Sequence, residues 1–275
     1  MAGGALSSLP MRNVRALISY DGSAFFGWQR QDGFRSVQQS IEEALEDLVG
    51  DKVVVHGAGR TDTGVHALGQ VAHFHLDAAL DDDRLRHAHN FHLPDGVSIL
   101  RLETCAAGFH ARFDARRKLY AYLVATSRFR PVFARRLMHW TYEPLDLAAM
   151  RAAAAQLVGR HDFSAFANAG SARRQNVREL SRVRIVARRR YFVILMQGGG
   201  FLYNMARTLA GTLIDVGRGK IEADDVARIL ASRERSLAGP TAPAAGLYLV
   251  SVRYDEPVFR GSDRGPRGVP GAFQV

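Results

Sequence analysis

The order of the predicted elements constrains the fold of this chain most strongly, because strand patterns and helix patterns are mixed within each half of its 275 residues. In the first half, alternating apolar residues predict a strand over residues 14–20. A helix is predicted between a capping-box pattern at Ser36 and a terminal glycine at Gly50. The other first-half patterns are a strand over residues 53–55, a glycine-bearing loop over 57–69 and a strand over 71–76.

The second half carries a similar order of elements. Its patterns are a strand over residues 120–124, a helix over 147–158, strands over 183–187 and 191–196, helices over 201–216 and after Glu222, and a last strand over 247–254. This mixture, present twice, predicts an α+β fold of two related α/β lobes whose sheets join. We expect an N-terminal lobe over residues 11–108, a C-terminal lobe over 109–256, and flexible tails over 1–10 and 257–275.

The charge balance points to a polyanionic partner. The chain has 37 Lys and Arg residues against 27 Asp and Glu residues, which gives a formal net charge of +10 with neutral histidine. Only three of the basic residues are lysines, and codon bias in a GC-rich genome is a sufficient explanation for that ratio. Codon bias does not explain the net charge, which fits binding to nucleic acid.

Composition also excludes several classes of protein. With 47% hydrophobic residues the chain can bury a core, so disorder throughout is excluded. Its single cysteine, Cys105, excludes an internal disulfide framework and a thiolate zinc cluster. No apolar run approaches the roughly 20 residues that a membrane-spanning helix needs, and residues 1–10 lack the features of a signal peptide. We therefore expect a soluble, cytoplasmic protein without a membrane partner.

Residues 57–66, with the sequence GAGRTDTGVH, form the most unusual segment, and three interpretations of it compete. One is a phosphate-binding glycine loop, although the central Asp62 would repel phosphate. Another is a surface hairpin with a solvated pair of Arg60 and Asp62. The third is an active-site loop in which Arg60 and Asp62 share one face of an extended segment. In that loop the arginine would keep the reactive Asp62 carboxylate ionised.

Five separated motifs resemble one known family. Residues 59–67, GRTDTGVHA, resemble the signature of the tRNA pseudouridine synthase A family, also called tRNA pseudouridine(38–40) synthase. The other four motifs agree in order: YDG and FGWQ within residues 20–29, FHARF over 109–113, FLYNM with Arg207 from residue 201, and AP with GL within 242–247. The resemblance runs from about residue 14 to 254 and implies the pseudouridine synthase fold, with a joined, mostly antiparallel sheet beneath a central basic cleft.

The resemblance implies isomerisation of uridine to pseudouridine in the anticodon stem-loop of tRNA, at positions 38, 39 and 40, by a homodimer that needs no cofactor. The bond from C1′ of ribose to N1 of uracil breaks, the base turns, and C5 bonds to C1′. Asp62 would be the catalytic residue, because a nearby carboxylate stabilises positive charge at an anomeric carbon. Attack on C1′, addition to C6 of the base and removal of a ribose proton are three open roles for Asp62.

The resemblance also implies four substrate-binding residues. Arg60 would help to hold the RNA open around a flipped nucleotide, Tyr120 would stack on the base and take part in proton transfer at C5, and Leu247 would pack under the base. Tyr120 and Leu247 are alternatively ordinary core residues of their strands. Arg207 lies on an otherwise apolar predicted helix, where an unpaired charge is costly, so we expect it to pair with Asp62.

Outside the pocket, aromatic, amide and basic side chains are candidates for RNA binding. Each basic residue is alternatively a solvated surface charge, and Trp28 is alternatively a core residue. The candidates are Phe26, Trp28 and Gln29 at the entrance, and Arg112, Arg116, Arg117 and Lys118 for the RNA backbone.

Two other functions stay open on the sequence alone. The protein is alternatively a non-catalytic RNA-binding protein of the same fold, or a metal-dependent hydrolase that uses its histidines. His73 and His75 share a strand face, and His87, His89 and His92 cluster in sequence. Because the carboxylate partners and the spacing of a known metal site are missing, we predict no metal site.

Overall fold

A computed structural model of the chain describes residues 11–77, 80–168, 176–188 and 191–259. These residues form one sheet and five α helices, which confirms the predicted α+β class. The strands are β1 (Arg12–Tyr20), β2 (His56–Gly57), β3 (His66–Leu76), β4 (Val97–Thr104), β5 (Arg117–Thr126), β6 (His139–Thr141), β7 (Gly159–Asp162), β8 (Val177–Ala187), β9 (Tyr191–Gly198) and β10 (Leu247–Arg253). The helices are α1 (Val37–Val49), α2 (Asp82–His92), α3 (Leu147–Gln156), α4 (Met205–Gly217) and α5 (Asp225–Ser232). Of the tails predicted to be flexible, residues 1–10 and 260–275 lie outside the described residues.

The sheet joins the two halves of the chain. Its order is β4-β1-β3-β10-β5-β9-β8-β7, with β2 paired to β3 and β6 paired to β5. Neighbours along this order are antiparallel except β3 and β10, which are parallel. Strands β1 to β4 precede residue 108 and β5 to β10 follow it, so the two halves meet at the β3–β10 pair. The expected joined, mostly antiparallel sheet is confirmed, and a lobe boundary at residue 108 stays a prediction.

Buried side chains of all five helices belong to one core cluster with the residues of one sheet face. Helix α1 begins where the Ser36 hydroxyl accepts a hydrogen bond from the Gln39 amide (3.2 Å) and ends at Gly50, which has a left-handed φ of 80°. Its Ile41 and Leu45 are fully buried, and each such side chain stabilises the fold by about 1.5–3 kcal/mol. Within the described part of the chain, no helix is long and apolar enough to cross a membrane.

Residues 53–55 do not form the predicted strand. The Val55 amide donates a hydrogen bond to Glu42 Oε1 (3.0 Å), and the Val55 carbonyl accepts one from Gln38 Nε2 (3.1 Å). Side chains of α1 therefore satisfy the backbone groups that a partner strand would otherwise bind. The next strand, β2, starts only at His56.

Two other predicted boundaries are wrong for reasons of backbone geometry and pairing. Strand β3 starts at His66, inside the predicted loop over residues 57–69, because its first residues pair with β10 far away in sequence. Helix α4 starts at Met205 rather than at residue 201, because Asn204 has a φ of 58° that is incompatible with a helix. The sequence patterns do not predict α2, β4, β6 or β7.

Candidate active site

A cavity of about 1120 Å³ opens beside the segment over residues 57–65. Strand β5, the start of β10, the start of α4 and several loop residues also contribute to its lining. Eight of the side chains predicted for the site line this one cavity. They are Trp28, Gln29, Arg60, Asp62, Arg112, Tyr120, Arg207 and Leu247.

Hydrogen bonds to Thr61 fix the backbone next to Asp62. The Thr61 hydroxyl is 2.8 Å from the buried Tyr20 hydroxyl, and the Thr61 carbonyl accepts from the Trp28 amide (3.0 Å). The Val65 amide donates to the Asp62 carbonyl (3.1 Å) and closes a turn. Thr61 is buried, whereas the Asp62 side chain lines the cavity. The segment is therefore an ordered loop and not a solvated hairpin.

Two glycines of the YDG and FGWQ motifs let the chain pack directly against this loop. A Cβ atom on Gly22 would lie 2.0 Å from the Val65 carbonyl oxygen. A Cβ atom on Gly27 would lie 2.7 Å from the Thr61 carbonyl oxygen, and Gly27 has a φ of +81° that strains other residues. These close approaches explain why glycine stands at both positions and connect both motifs to Asp62.

Arg207 pairs with Asp62, as expected from its place on an apolar helix. Arg207 Nη1 lies 3.5 Å from Asp62 Oδ2, with both side chains about four-fifths buried. Two further acceptors orient the guanidinium: Asn204 Oδ1 at 3.0 Å from Nη1, and the Ala242 carbonyl at 2.8 Å from Nε. Asn204, in its left-handed conformation just before α4, thus holds the arginine that faces Asp62.

Burial shifts the pKa of Asp62 in the direction opposite to the shift that its arginine partner alone would cause. Desolvation raises the pKa of Asp62 above its usual value, while the charge and the hydrogen bond of Arg207 act to lower it. Burial is the larger of these effects. A carboxylate of raised pKa is a stronger base and nucleophile than a solvated one, so this arrangement suits a carboxylate that acts chemically from a fixed orientation.

Tyr120 and Tyr122 are two residues apart and lie on the same face of β5, but they have different surroundings. The Tyr122 hydroxyl donates to the Pro243 carbonyl (2.9 Å), which is the arrangement of a core residue. Tyr120 packs edge-to-face on Phe201, with ring centroids 4.8 Å apart, and lines the cavity. Burial, and the nearby Tyr20 and Asp62, raise the pKa of Tyr120. Tyr120 is therefore an aromatic side chain both buried and adjacent to Asp62.

The other predicted RNA-binding residues divide into two groups. Trp28, Gln29 and Arg112 line the cavity, and Trp28 is also a buried core residue, in agreement with its alternative interpretation. The cavity lining does not include the other three. Phe26 packs on Phe34 (4.7 Å between ring centroids), Arg116 pairs with Asp255 (2.7 Å), and Arg117 is exposed at the start of β5.

Sequence reasoning placed Lys118 outside the pocket, whereas its side chain lines the cavity. Lys118 lies two residues before Tyr120 on β5, and side chains two residues apart share a face of a strand. That alternation was the available signal. The lining also includes Asn204 and Phe201, both within the FLYNM motif but without a role assigned from the sequence.

The histidines do not assemble into a metal site within the described residues, where no group of three or more His, Cys, Asp or Glu side chains has a metal-binding arrangement. His73 contacts the His110 ring (4.5 Å between centroids) and its Nδ1 accepts from the Ala111 amide (3.2 Å). Burial and neighbouring histidines lower the pKa of His73 to about 4. The His89 Nε2 atom lies 3.2 Å from the Ile41 carbonyl. The hydrolase alternative therefore has no metal centre in the described part of the fold.

Comparison with known proteins agrees with this geometry. A family model described as tRNA pseudouridine synthase matches residues 16–114 and 153–255. The tRNA pseudouridine synthase A of Acetivibrio thermocellus is 44% identical over 244 residues, covering 89% of this chain and 100% of that protein. The proteins of that name from Streptococcus equi subsp. equi and Streptococcus sanguinis are 41% and 42% identical over 250 residues, covering 90% of this chain and 100% of each relative.

These matches extend over both halves of the joined sheet, and each of the five sequence motifs contributes at least one residue to the cavity lining. The similarity therefore includes the cavity as well as the core. The chain belongs to the tRNA pseudouridine synthase family.

Proposed function

We propose that this protein isomerises uridine to pseudouridine in the anticodon stem-loop of tRNA, at positions 38, 39 and 40, with Asp62 as the catalytic residue. The observation that carries the proposal is the ion pair of Asp62 with Arg207, at 3.5 Å, on an ordered loop inside the cavity. The relatives named tRNA pseudouridine synthase A support the reaction and the substrate class.

The reaction rearranges one nucleotide without adding or removing atoms. The N1–C1′ bond breaks, a C5–C1′ bond forms, C5 loses its proton and N1 gains one, so no oxidant or other co-reactant is consumed. Asp62 supplies the carboxylate that meets the developing charge at C1′, adds to C6 or removes a ribose proton. Arg207 orients this carboxylate through the hydrogen bonds that fix its guanidinium.

Tyr120, Leu247 and Arg60 bind the flipped nucleotide in this proposal. Tyr120 contacts the base, and its raised pKa keeps the phenol protonated at neutral pH, which favours stacking over the role of proton acceptor at C5. Leu247, buried at the start of β10, packs under the base. The exposed Arg60, two residues before Asp62, holds the RNA open, because unstacking the nucleotide costs roughly a few kcal/mol.

The proposal includes the assembly and the location of the protein. We place it in the cytoplasm, with its tRNA substrate, and the family resemblance leads us to propose a homodimer. Light scattering of the purified protein should give twice the mass of one chain, and the mass of a single chain would contradict the dimer. The RNA-binding roles of Trp28, Gln29 and Arg112 in the cavity, and of Phe26, Arg116 and Arg117 outside it, belong to the same proposal.

The test is to incubate the purified protein with an unmodified tRNA transcript and to map pseudouridine chemically at nucleotide resolution. Pseudouridine at positions 38, 39 or 40 is the expected result, in the absence of any added metal or cofactor. A transcript bound by the protein but left unmodified would support the alternative of a non-catalytic RNA-binding protein and contradict the proposal. Modification confined to another region of the tRNA would contradict the proposed substrate position alone.

A further inference from the structure

Lys118 is a cation inside the cavity that the proposed chemistry does not use. Its side chain crosses the backbone of the Asp62 loop: Nζ lies 2.9 Å and Cε 3.4 Å from the position that a Cβ atom would take on Gly59. Gly59 is three residues before Asp62. Because residue 59 has no side chain, the end of the lysine side chain lies directly over the loop backbone, and the ammonium group is close to the catalytic loop.

No carboxylate compensates this charge within the part of the chain that the structure describes. Asp62, the only carboxylate among the described lining residues, is paired with Arg207. Burial lowers the pKa of Lys118 to about 8, and the positive charge of Arg112 contributes in the same direction. A desolvated ammonium group beside a guanidinium group costs free energy unless an anion joins them.

Arg112 supplies a second positive charge and, unlike Lys118, is exposed. Its guanidinium lies 5.7 Å from the centre of the Phe113 ring, and it has no carboxylate partner among the described residues. Both Arg112 and Lys118 line the same cavity as Asp62. A guanidinium and an ammonium group without an acidic partner, next to each other in a cavity, form an arrangement that suits phosphate.

We propose that Lys118 and Arg112 form a binding site for one phosphodiester group of the RNA, adjacent to the nucleotide on which Asp62 acts. The proposal rests on the proposed function, because RNA supplies a phosphodiester group on each side of a flipped nucleotide. It differs from general attraction to a basic surface, since it assigns one phosphate to two named side chains inside the cavity.

Several of the elements that line the cavity place charged or titratable side chains around Lys118. The arginines keep their charge at all pH values of interest, and burial moves the pKa values of His110 and Tyr120 away from the range between 7 and 9. We therefore assign a change of RNA affinity in that range to Lys118. The full set is Arg60 and Asp62 on the loop, His56 on β2, His110 and Arg112 before β5, Tyr120 on β5, Arg178 on β8, Tyr203 before α4 and Arg207 on α4.

The first test is equilibrium binding of an unmodified tRNA transcript, with every protein carrying Asp62→Asn so that the RNA stays unmodified. Lys118→Met should weaken binding about tenfold at pH 7. It should also lower the slope of log affinity against log salt by about 0.7–0.9. Lys118→Arg should retain affinity, and Lys220→Met, at an exposed lysine, should change neither quantity.

The pH dependence separates this role from a purely structural one. Phosphate stabilises the ammonium form, so RNA binding requires a proton on Lys118, and affinity for RNA should fall as pH rises from 7 to 9. Lys118→Arg should abolish that decline, because arginine keeps its charge. An equal decline in the parent and in Lys118→Arg would overturn the proposal even if Lys118→Met failed to fold.

A chemically synthesised stem-loop RNA identifies the phosphate. One linkage, 5′ or 3′ of the target uridine, is made a neutral methylphosphonate with a 2′-O-methyl ribose beside it, and the control RNA carries the 2′-O-methyl group alone. One of the two linkages should weaken binding to the parent protein about tenfold and have no further effect on Lys118→Met. Equal losses in both proteins for both linkages would contradict the site. Failure to form pseudouridine with the unsubstituted protein would contradict the proposed function and not this binding result.

Discussion

Two clusters of charge line the same cavity and differ in how they are balanced. In the paired cluster, Asp62 and Arg207 neutralise each other at 3.5 Å, and hydrogen bonds from the arginine to neighbouring oxygens fix the geometry. In the unpaired cluster, Arg60, Arg112 and Lys118 have no carboxylate partner within the described chain. The charges of the first cluster balance, whereas the second has a net positive charge.

The difference suggests a division of labour. A carboxylate that must react at a fixed position needs a partner that orients it, and such preorganisation is costly to lose. Side chains that bind a polyanion need charges that remain available until the substrate arrives. We therefore expect changes in the paired cluster to affect the rate of reaction and changes in the unpaired cluster to affect affinity for RNA.

Asp62→Asn should have the largest effect. Removing the carboxylate should lower the rate of pseudouridine formation by roughly 10²–10⁴-fold or more, because the amide is neither a base nor a nucleophile. Binding of tRNA should be retained, since the unpaired cluster is unchanged. The measurement is pseudouridine formed per unit time beside a filter-binding isotherm, with Asp225→Asn, at a surface ion pair on α5, as the matched control. Substantial turnover by Asp62→Asn would exclude Asp62 as the catalytic residue.

Arg207→Gln should lower the rate by about 100-fold, because the carboxylate loses the partner that orients it. The acid limb of the pH–rate profile should also move to higher pH. The reactive form of Asp62 is the carboxylate, so activity is lost as pH falls through its pKa, and Arg207 acts to lower that pKa.

The control for this variant is Arg228→Gln, which removes an exposed arginine from α5 and should leave both the rate and the profile unchanged. An acid limb that stayed in place or moved to lower pH in Arg207→Gln would contradict the assigned pairing.

Within the cavity, salt should affect RNA binding through the unpaired cluster and not through the paired cluster. If Lys118 and Arg112 share one phosphate and Arg60 contacts a second, raising the salt concentration from about 50 to about 200 mM should weaken tRNA binding by at least roughly 7- to 12-fold through this cluster. Arg112→Gln should reduce the salt slope, whereas Arg207→Gln should leave it unchanged because Arg207 already has an anionic partner. Equal reductions in the two variants, measured by binding isotherms over a salt series, would remove the distinction between the clusters.

The smallest expected effect concerns the histidines beside the unpaired cluster. The folded-state pKa of His73 is lowered to about 4, so its contribution to stability is complete above the ordinary histidine pKa and is lost as pH falls from about 6.5 towards 4. The free energy of unfolding should decrease by about 1–2 kcal/mol per such histidine between pH 7.5 and 5. Urea unfolding at both pH values should show a smaller decrease for His73→Gln than for His87→Gln, at an exposed position on α2. Equal decreases would show that His73 is not the group responsible.

The sequence predicts those helices and strands whose own apolar pattern and caps also determine how they pack in the fold. Strand β1 alternates clearly and α1 has both caps, so their existence and positions follow from local sequence. Helix α2 was missed because only Leu85 and His89 of its residues are buried, which leaves almost no apolar periodicity. Residues 53–55 are three consecutive valines, which are typical of a strand, but side chains of α1 bind their backbone, and no local pattern reveals that.

For the candidate site as well, local sequence predicts some contacts and not those that depend on distant segments. The pairing of Arg207 with Asp62 followed from the cost of a charge on an apolar helix, and the alternation of β5 predicts that Tyr120 and Tyr122 share a face. Lys118 was assigned to the surface because its burial depends on the path of its side chain over Gly59. The raised pKa of Asp62 likewise depends on desolvation by several distant segments, which sequence spacing does not measure.

The most direct test of the division of labour is a single-turnover titration, in which the rate of pseudouridine formation is followed against enzyme concentration for Arg207→Gln and Lys118→Met. We expect Arg207→Gln to lower the rate at saturation and to leave the half-saturating concentration unchanged. We expect Lys118→Met to raise the half-saturating concentration and to leave the saturating rate unchanged. If both variants alter the same parameter, the two clusters do not have separate roles and the account is wrong.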